Sequence, residues 1–316
     1  MSIFKLDPAF KDYIWGGTRL RDEYGKKCDY DKVAESWELS CHKDGPSVVA
    51  DGEYKGLTLN EYIEKAGKGV LGKNCERFEN FPILIKLIDA KDNLSVQVHP
   101  DNDYAMRVEG EYGKTEMWYV VDCEEGAQLI YGFNKSIDKE EFRRRIKDNT
   151  LTEVCNFVDV HKGDVFFIKS GTLHAIGAGI LIAEVQQNTT YRVSDYGRLG
   201  ADGKPRALHI DKAVDVTVTA PPSVPYGDVG EKTLYPFGIS RTLAECDKFT
   251  AELLELDGIA GIHGDGSFVS AVVLDGEAAV SYPSGNMTVK KGDSLFIPAN
   301  LKVTVSGTAT ILCSHL

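Results

Sequence analysis

The 316 residues carry 36 Lys+Arg against 48 Asp+Glu, a net charge of −12, with 42% hydrophobic residues, the composition of an ordinary globular chain with enough apolar material for a full core. A pI near 5.1 excludes the overall basic field that nucleic acid or an anionic membrane demands, so neither partner is expected. A small anionic ligand then requires basic residues gathered locally.

In chain order, Thr58-Leu59-Asn60-Glu61 is a capping-box pattern that opens a helix, with Gly67 as its stop. Short apolar runs follow at 83–89, 94–99, 117–121 and 127–131 and predict strands, and Asp138-Lys139-Glu140-Glu141 opens a second helix through Phe142 and Ile146. Strands are expected at 164–168 and 180–186, then a helix from His209 to about Val218. Ala220-Pro221-Pro222-Ser223-Val224-Pro225 breaks regular structure and sets a domain boundary near 225. Beyond it lie strand-like runs at 268–274, 278–282, 294–297 and 303–305. Many short strands with glycine punctuation and few helices read as a mainly β fold, a sandwich or barrel.

The cysteines (28, 41, 75, 123, 155, 246 and 313) are odd in number and form no C-x-x-C pair, so neither a disulfide framework nor a cysteine zinc site is indicated and a reducing compartment follows. Met1-Ser2-Ile3-Phe4-Lys5-Leu6-Asp7-Pro8 has charge and proline where a signal peptide needs an apolar core. No run approaches the roughly 20 apolar residues of a membrane span, and a cytoplasmic location is expected.

A pattern recurs across the boundary. Lys162-Gly163-Asp164-Val165-Phe166-Phe167-Ile168-Lys169-Ser170-Gly171 resembles Lys291-Gly292-Asp293-Ser294-Leu295-Phe296-Ile297-Pro298-Ala299, and each copy follows a strand, a glycine turn (Gly126 or Gly276) and a second strand. The pattern resembles the second motif of cupin barrels. Two copies imply two cupin-type (jelly-roll) β-barrels with a few short helices, residues 1–225 and 226–316. His174 follows the first copy, whereas Asn300-Leu301-Lys302-Val303 follows the second, so metal chemistry is assigned to the first domain and the second is expected to lack a metal site.

Strict alternation in Leu94-Ser95-Val96-Gln97-Val98-His99 puts Ser95, Gln97 and His99 on one face of a strand, and Lys114 and Glu116 share a face of another. A solvated sheet face explains one such strand alone. Together with His174 after a glycine turn, these residues supply imidazole, carboxylate and amide-oxygen donors suited to a divalent ion such as zinc: Gln97, His99, Glu116 and His174. His42, His161, His263 and His315, and His209 beside Leu208, read as surface or packing residues.

Gln97-Val98-His99-Pro100-Asp101, Gly113-Lys114-Thr115-Glu116-Met117-Trp118-Tyr119 and Gly171-Thr172-Leu173-His174-Ala175-Ile176-Gly177 resemble the metal-binding segments of type I mannose-6-phosphate isomerases. Trp15-Gly16-Gly17, Glu35-Ser36-Trp37-Glu38, Phe81-Pro82 to Lys86, Glu184-Val185-Gln186-Gln187-Asn188 and Tyr191-Arg192-Val193-Ser194-Asp195-Tyr196-Gly197-Arg198 extend the resemblance over about residues 1 to 220. It implies one Zn2+ per chain on Gln97, His99, Glu116 and His174, Arg192 as the active-site arginine and Lys114 beside the metal. It also implies contact with the sugar phosphate at Ser95, Lys86 and Arg198. The chain lacks the long helical insertion of larger members, and it has Asn188 where they carry an acid, so that acid's role does not transfer.

The implied reaction interconverts mannose 6-phosphate and fructose 6-phosphate through an enediol. Zinc acts there as Lewis acid, Arg192 as a second cation, and Lys114, Glu184 or a zinc-bound hydroxide as proton carrier, with Lys114 taken as catalytic and Glu184 placed at the substrate. Two other readings share the fold: a cupin enzyme with another metal and substrate, and a non-catalytic sugar-binding bicupin.

Overall fold

The computed structural model describes residues 2–187, 189–199 and 203–316. The chain is mainly β, with short helices, and its contacts divide it into two compact units that are discontinuous in sequence. One comprises Met1–Lys11, Thr18–Leu87 and Val229–Leu316; the other comprises Asp12–Gly17 and Ile88–Asp228. No helix among the described residues is long and apolar enough to cross a membrane.

The unit that includes Ile88–Asp228 is built on two groups of strands. In the first, Glu116–Cys123 lies between Val165–Ile168 and Ile180–Gln186, antiparallel to both. In the second the order is Tyr191–Ser194, Val96–Val98, His174–Ala175, Gln128–Phe133, Cys155–Asp159. A buried cluster that includes Val96, Val98, Phe133, Phe142, Ile146 and Val193 fixes which face of the second group points inward. The inward face is apolar at alternate positions, so the intervening residues Gln97 and His99 are turned the other way.

The helix Lys139–Lys147 begins where expected, because Asp138 accepts the Glu141 backbone N–H. Ile210–Val216 is the third expected helix. Asn102–Val108 was not foreseen; it is started by Asp101, whose side chain accepts from Tyr104 N–H.

In the other unit a nine-stranded sheet runs Lys232–Tyr235, Gly238–Glu245, Thr250–Ile262, Val303–His315, Val269–Tyr282, Ser294–Ile297, Phe4–Asp7, Val48–Val49, with Gly285–Lys290 paired to Val269–Tyr282. Its core gathers Ile3, Leu254, Val280, Leu295, Val305 and Ile311. The helix Leu59–Ala66 has both arms of the Thr58–Glu61 capping box and ends at Gly67, as the sequence pattern required. In each sheet the pairing path begins and ends on different strands rather than closing into a ring.

The two runs expected at 278–282 and 268–274 are one strand, Val269–Tyr282. Gly276 was read as a turn between them. The ladder to Val303–His315 instead shifts register between Val273 and Asp275, which makes a β-bulge at Leu274, and continues through Gly276, which pairs with Ala309 and has φ 75°.

Candidate metal and active site

Three buried ligand-type side chains meet between the two groups of strands in the unit that includes Ile88–Asp228. Glu116 opens the strand Glu116–Cys123, His174 opens His174–Ala175, and His99 immediately follows Val96–Val98. Their ligand atoms all lie within 4.8 Å of one another, the one such His/Cys/Asp/Glu cluster among the described residues. Glu116 Oε1 stands 3.2 Å from His99 Nε2 and 3.1 Å from His174 Nε2, and the two imidazole rings are 4.5 Å apart.

Local backbone contacts explain how separate segments converge. His174 is opposite Gln97 on one side and Tyr131 on the other. The Gly171 N–H donates to the His99 carbonyl at 2.8 Å, and the Lys114 N–H donates to the Pro100 carbonyl at 2.9 Å. Gly113 makes that second crossing possible, since a Cβ there would lie 2.5 Å from the Pro100 oxygen.

The arrangement is suited to a cation. Thr172's carbonyl can only accept, so the 2.8 Å contact to His174 Nδ1 is a donated N–H, and the neutral ring carries its lone pair on Nε2. That lone pair faces a carboxylate oxygen, a repulsive pairing in a dry interior unless a positive ion or a proton lies between them. Burial disfavours the proton: it holds the His174 imidazole below its ordinary range although Glu116 acts the other way. Burial likewise opposes the charged form of Glu116, but Lys114 and His174 prevail and hold its carboxyl low. Two imidazoles and one carboxylate form a donor set that fits zinc.

Lys114 Nζ sits 2.8 Å from Glu116 Oε2 and 3.9 Å from Glu184 Oε1, and Glu184 accepts from Trp118 Nε1 at 2.9 Å. Gln97 Nε2 donates to Ser95 Oγ at 3.3 Å, which leaves the amide oxygen as the atom able to meet a cation. Arg192 is opposite Gln97 in the ladder; its Nη1 donates to the Ala207 carbonyl at 3.2 Å and its buried Nε has no partner. Burial and Arg206 both weaken the proton's hold on this guanidinium, yet an arginine starts so high that it stays a cation.

Arg198 donates to Asp195 Oδ1 through Nη2 at 2.6 Å and to the Asn93 carbonyl through Nη1. Arg206 takes the same carboxylate through Nε and Nη2, both at 2.6 Å. Lys86 belongs to the other unit, where Glu35 lies 3.4 Å from its Nζ and the Trp37 ring 5.2 Å away. Ser95, Gln97, His99, Lys114, Glu116, His174, Glu184, Arg192 and Arg198 are thus all in one unit, and Lys86 is not among them. Asn188 lies outside the described residues.

Sequence reasoning missed Asp195, Arg206 and His209 as parts of this region. His209 Nδ1 accepts the Arg192 backbone N–H at 3.1 Å while its own N–H donates to the Arg192 carbonyl at 2.9 Å. No local motif signals that pairing, because it joins residues 17 apart.

Two family profiles match the chain: "Phosphomannose isomerase type I, catalytic domain" over residues 3–126 and "Mannose-6-phosphate isomerase, cupin domain" over residues 239–316. The chain is similar to mannose-6-phosphate isomerase ManA of Bacillus subtilis, 39% identical over 98% of this chain and 97% of that one. It is also similar to the mannose-6-phosphate isomerase of Streptococcus mutans, 38% identical over 96% of this chain and 94% of that one. Among solved structures, the mannose 6-phosphate isomerase from Bacillus subtilis superposes with a TM-score of 0.92 at 36% identity, covering all of both chains.

Proposed function

This chain belongs to the type I mannose-6-phosphate isomerases, and from that premise we propose that the His99–Glu116–His174 cluster is a zinc centre at which mannose 6-phosphate and fructose 6-phosphate are interconverted through an enediol. His99, Glu116 and His174 would hold the ion, with Gln97 as fourth donor. Bound there, zinc supplies Lewis-acid stabilisation of the negative charge that builds on the oxygens of C1 and C2. The observation that carries the reading is the His174 lone pair turned on a buried carboxylate 3.1 Å away.

Isomerisation breaks the C2–H bond, forms a C1–H bond and moves one hydroxyl proton between O2 and O1. The chain must therefore take a proton and return it one carbon along. Lys114 Nζ and Glu184 Oε1, 3.9 Å apart, put a donor and an acceptor side by side for that transfer. Arg192 contributes a permanent charge and a buried N–H without a partner, the kind of preset donor that stabilises an oxyanion. Arg198 and Ser95 bind the phosphate, which fixes the reacting carbons from a distance. A phosphate contact for Lys86 rests on the sequence resemblance alone. We also propose that residues 1–225 form the catalytic cupin domain and 226–316 a cupin-like jelly roll that lacks the metal site.

The test is a coupled assay for fructose 6-phosphate formed from mannose 6-phosphate, with metal analysis, before and after chelation and zinc return. Activity should vanish with the ion and come back with it. Full turnover by metal-free protein would sink the zinc centre, and no fructose 6-phosphate at all would sink the isomerase.

A further inference from the structure

The strand Ile180–Gln186 ends on a residue that has no role in the account above. Gln186 is 2% exposed and lies directly opposite Glu116 in the antiparallel ladder, so the two side chains leave the sheet on the same face. Glu184, two residues earlier, shares that face by the period of the strand. Gln186 thus belongs to the same wall as a cluster ligand and the carboxylate beside Lys114.

Its amide is only half used. Nε2 donates to the Gln187 carbonyl at 2.8 Å, and because a carbonyl only accepts, the orientation of the amide is settled by that contact. The remaining atom, Oε1, is buried with no partner. An acceptor stranded in the interior is costly, and native proteins rarely leave one without a donor that arrives from somewhere. The carboxylates on this wall accept rather than donate, and Lys114 is drawn to Glu116 at 2.8 Å. An O–H group from outside the chain would meet that need.

We propose that Gln186 Oε1 accepts a hydroxyl of the sugar and so acts as a substrate-selecting residue. The proposal rests on the isomerase reading. With C1 and C2 reacting at the cluster, the hydroxyl assigned to Gln186 is the one on the next carbon, C3.

Deoxy analogues of mannose 6-phosphate test this in the zinc-loaded enzyme. The natural enzyme should lose about tenfold to a hundredfold in kcat/KM on the 3-deoxy sugar, because that sugar leaves the buried oxygen unmet. Gln186→Met should lose a similar factor on the natural substrate, lose nothing further on the 3-deoxy sugar, and respond to the 4-deoxy sugar as the natural enzyme does. Gln186→Asn, which withdraws the oxygen by one methylene, should behave alike and serves if the Met variant does not fold. Equal use of both sugars by the natural enzyme overturns the proposal without any variant. So does a Gln186→Met loss that multiplies in full with the 3-deoxy loss, or a loss of bound zinc in that variant. Failure of the natural enzyme on mannose 6-phosphate itself would instead overturn the isomerase reading beneath it.

Discussion

His174 gives its one N–H to the Thr172 carbonyl and is left to present a lone pair to Glu116, so the side chain is committed to a cation before one arrives. Removing a neighbouring donor should then empty the centre: His99→Ala is expected to leave metal content at background and lower turnover at least about a hundredfold, since even groups that only support a metal ligand are worth 10- to 100-fold. Metal analysis beside the coupled assay checks both halves. Arg198→Ala should act elsewhere, raising KM about tenfold with little change in kcat, as expected for one charge-assisted contact to a phosphate.

Asp195 gives a pH prediction. Burial opposes its charge, but Arg206 and Arg198 overcome that and hold its carboxyl below the ordinary aspartate range. A carboxyl depressed on folding adds stability above its unfolded pKa of about 3.9 and surrenders it as pH falls through the lower folded value. Asp195→Asn should be less stable than the natural protein at pH 7, and the gap should narrow as pH falls below about 4 in denaturant titrations. A gap that widens toward acid contradicts the assignment. His99, Glu116, His174 and Lys114 were legible in the sequence because short motifs and strand alternation carry them. Asp195 with Arg206, and Gln186 with Glu116, were not, because those pairs are made by register and by a loop closing on a strand.

At the scale of elements, helices announced themselves through their ends. Thr58 with Glu61 and Asp138 with Glu141 each satisfy an early N–H, a local arrangement that sequence records directly. The C-terminal strands were less readable. The strand Thr250–Ile262 clusters Leu253, Leu254 and Leu256 among acidic residues, with Gly258 and Gly261 beyond, and this pattern separates a two-residue from a 3.6-residue period poorly. Gly276 misled differently: a glycine at positive φ can continue a strand just past a bulge as well as make a turn. A Cβ on Gly276 would lie 2.2 Å from the Thr308 carbonyl oxygen on the paired strand. Gly276→Ala is therefore expected to destabilise the protein by about 1–3 kcal/mol, combining φ strain with displacement of the neighbouring backbone. Denaturant unfolding measures it, and a neutral outcome would mean the backbone beside Thr308 gives way freely.

For the whole molecule, a net charge of −12 sets the outer field while the arginines of one unit set the inner one. Arg192, Arg198 and Arg206 share a single carboxylate among them, Asp195, which gives the local excess of positive charge that a phosphosugar needs in an acidic chain. Metal binding should also be visible in stability. An ion that binds only the folded state adds about 2.7 kcal/mol at a hundred times its dissociation constant, so chelation should lower the thermal midpoint and zinc should restore it. An unchanged midpoint, with metal loss verified, would separate the cluster from folding.

The cluster draws Glu116 from one group of strands and His99 and His174 from the other, and this makes it a clasp as well as a site. The proposed ion, gripped from both sides, would fasten segments 58 and 75 residues from His174 along the chain, so parting the two layers would mean breaking coordinate bonds as well as sliding apolar side chains past each other. With the proposed ion in place, whatever loosened the packing of one layer would also loosen the grip on it, and metal-free protein should be cut by proteases faster than zinc-loaded protein along the seam between the layers.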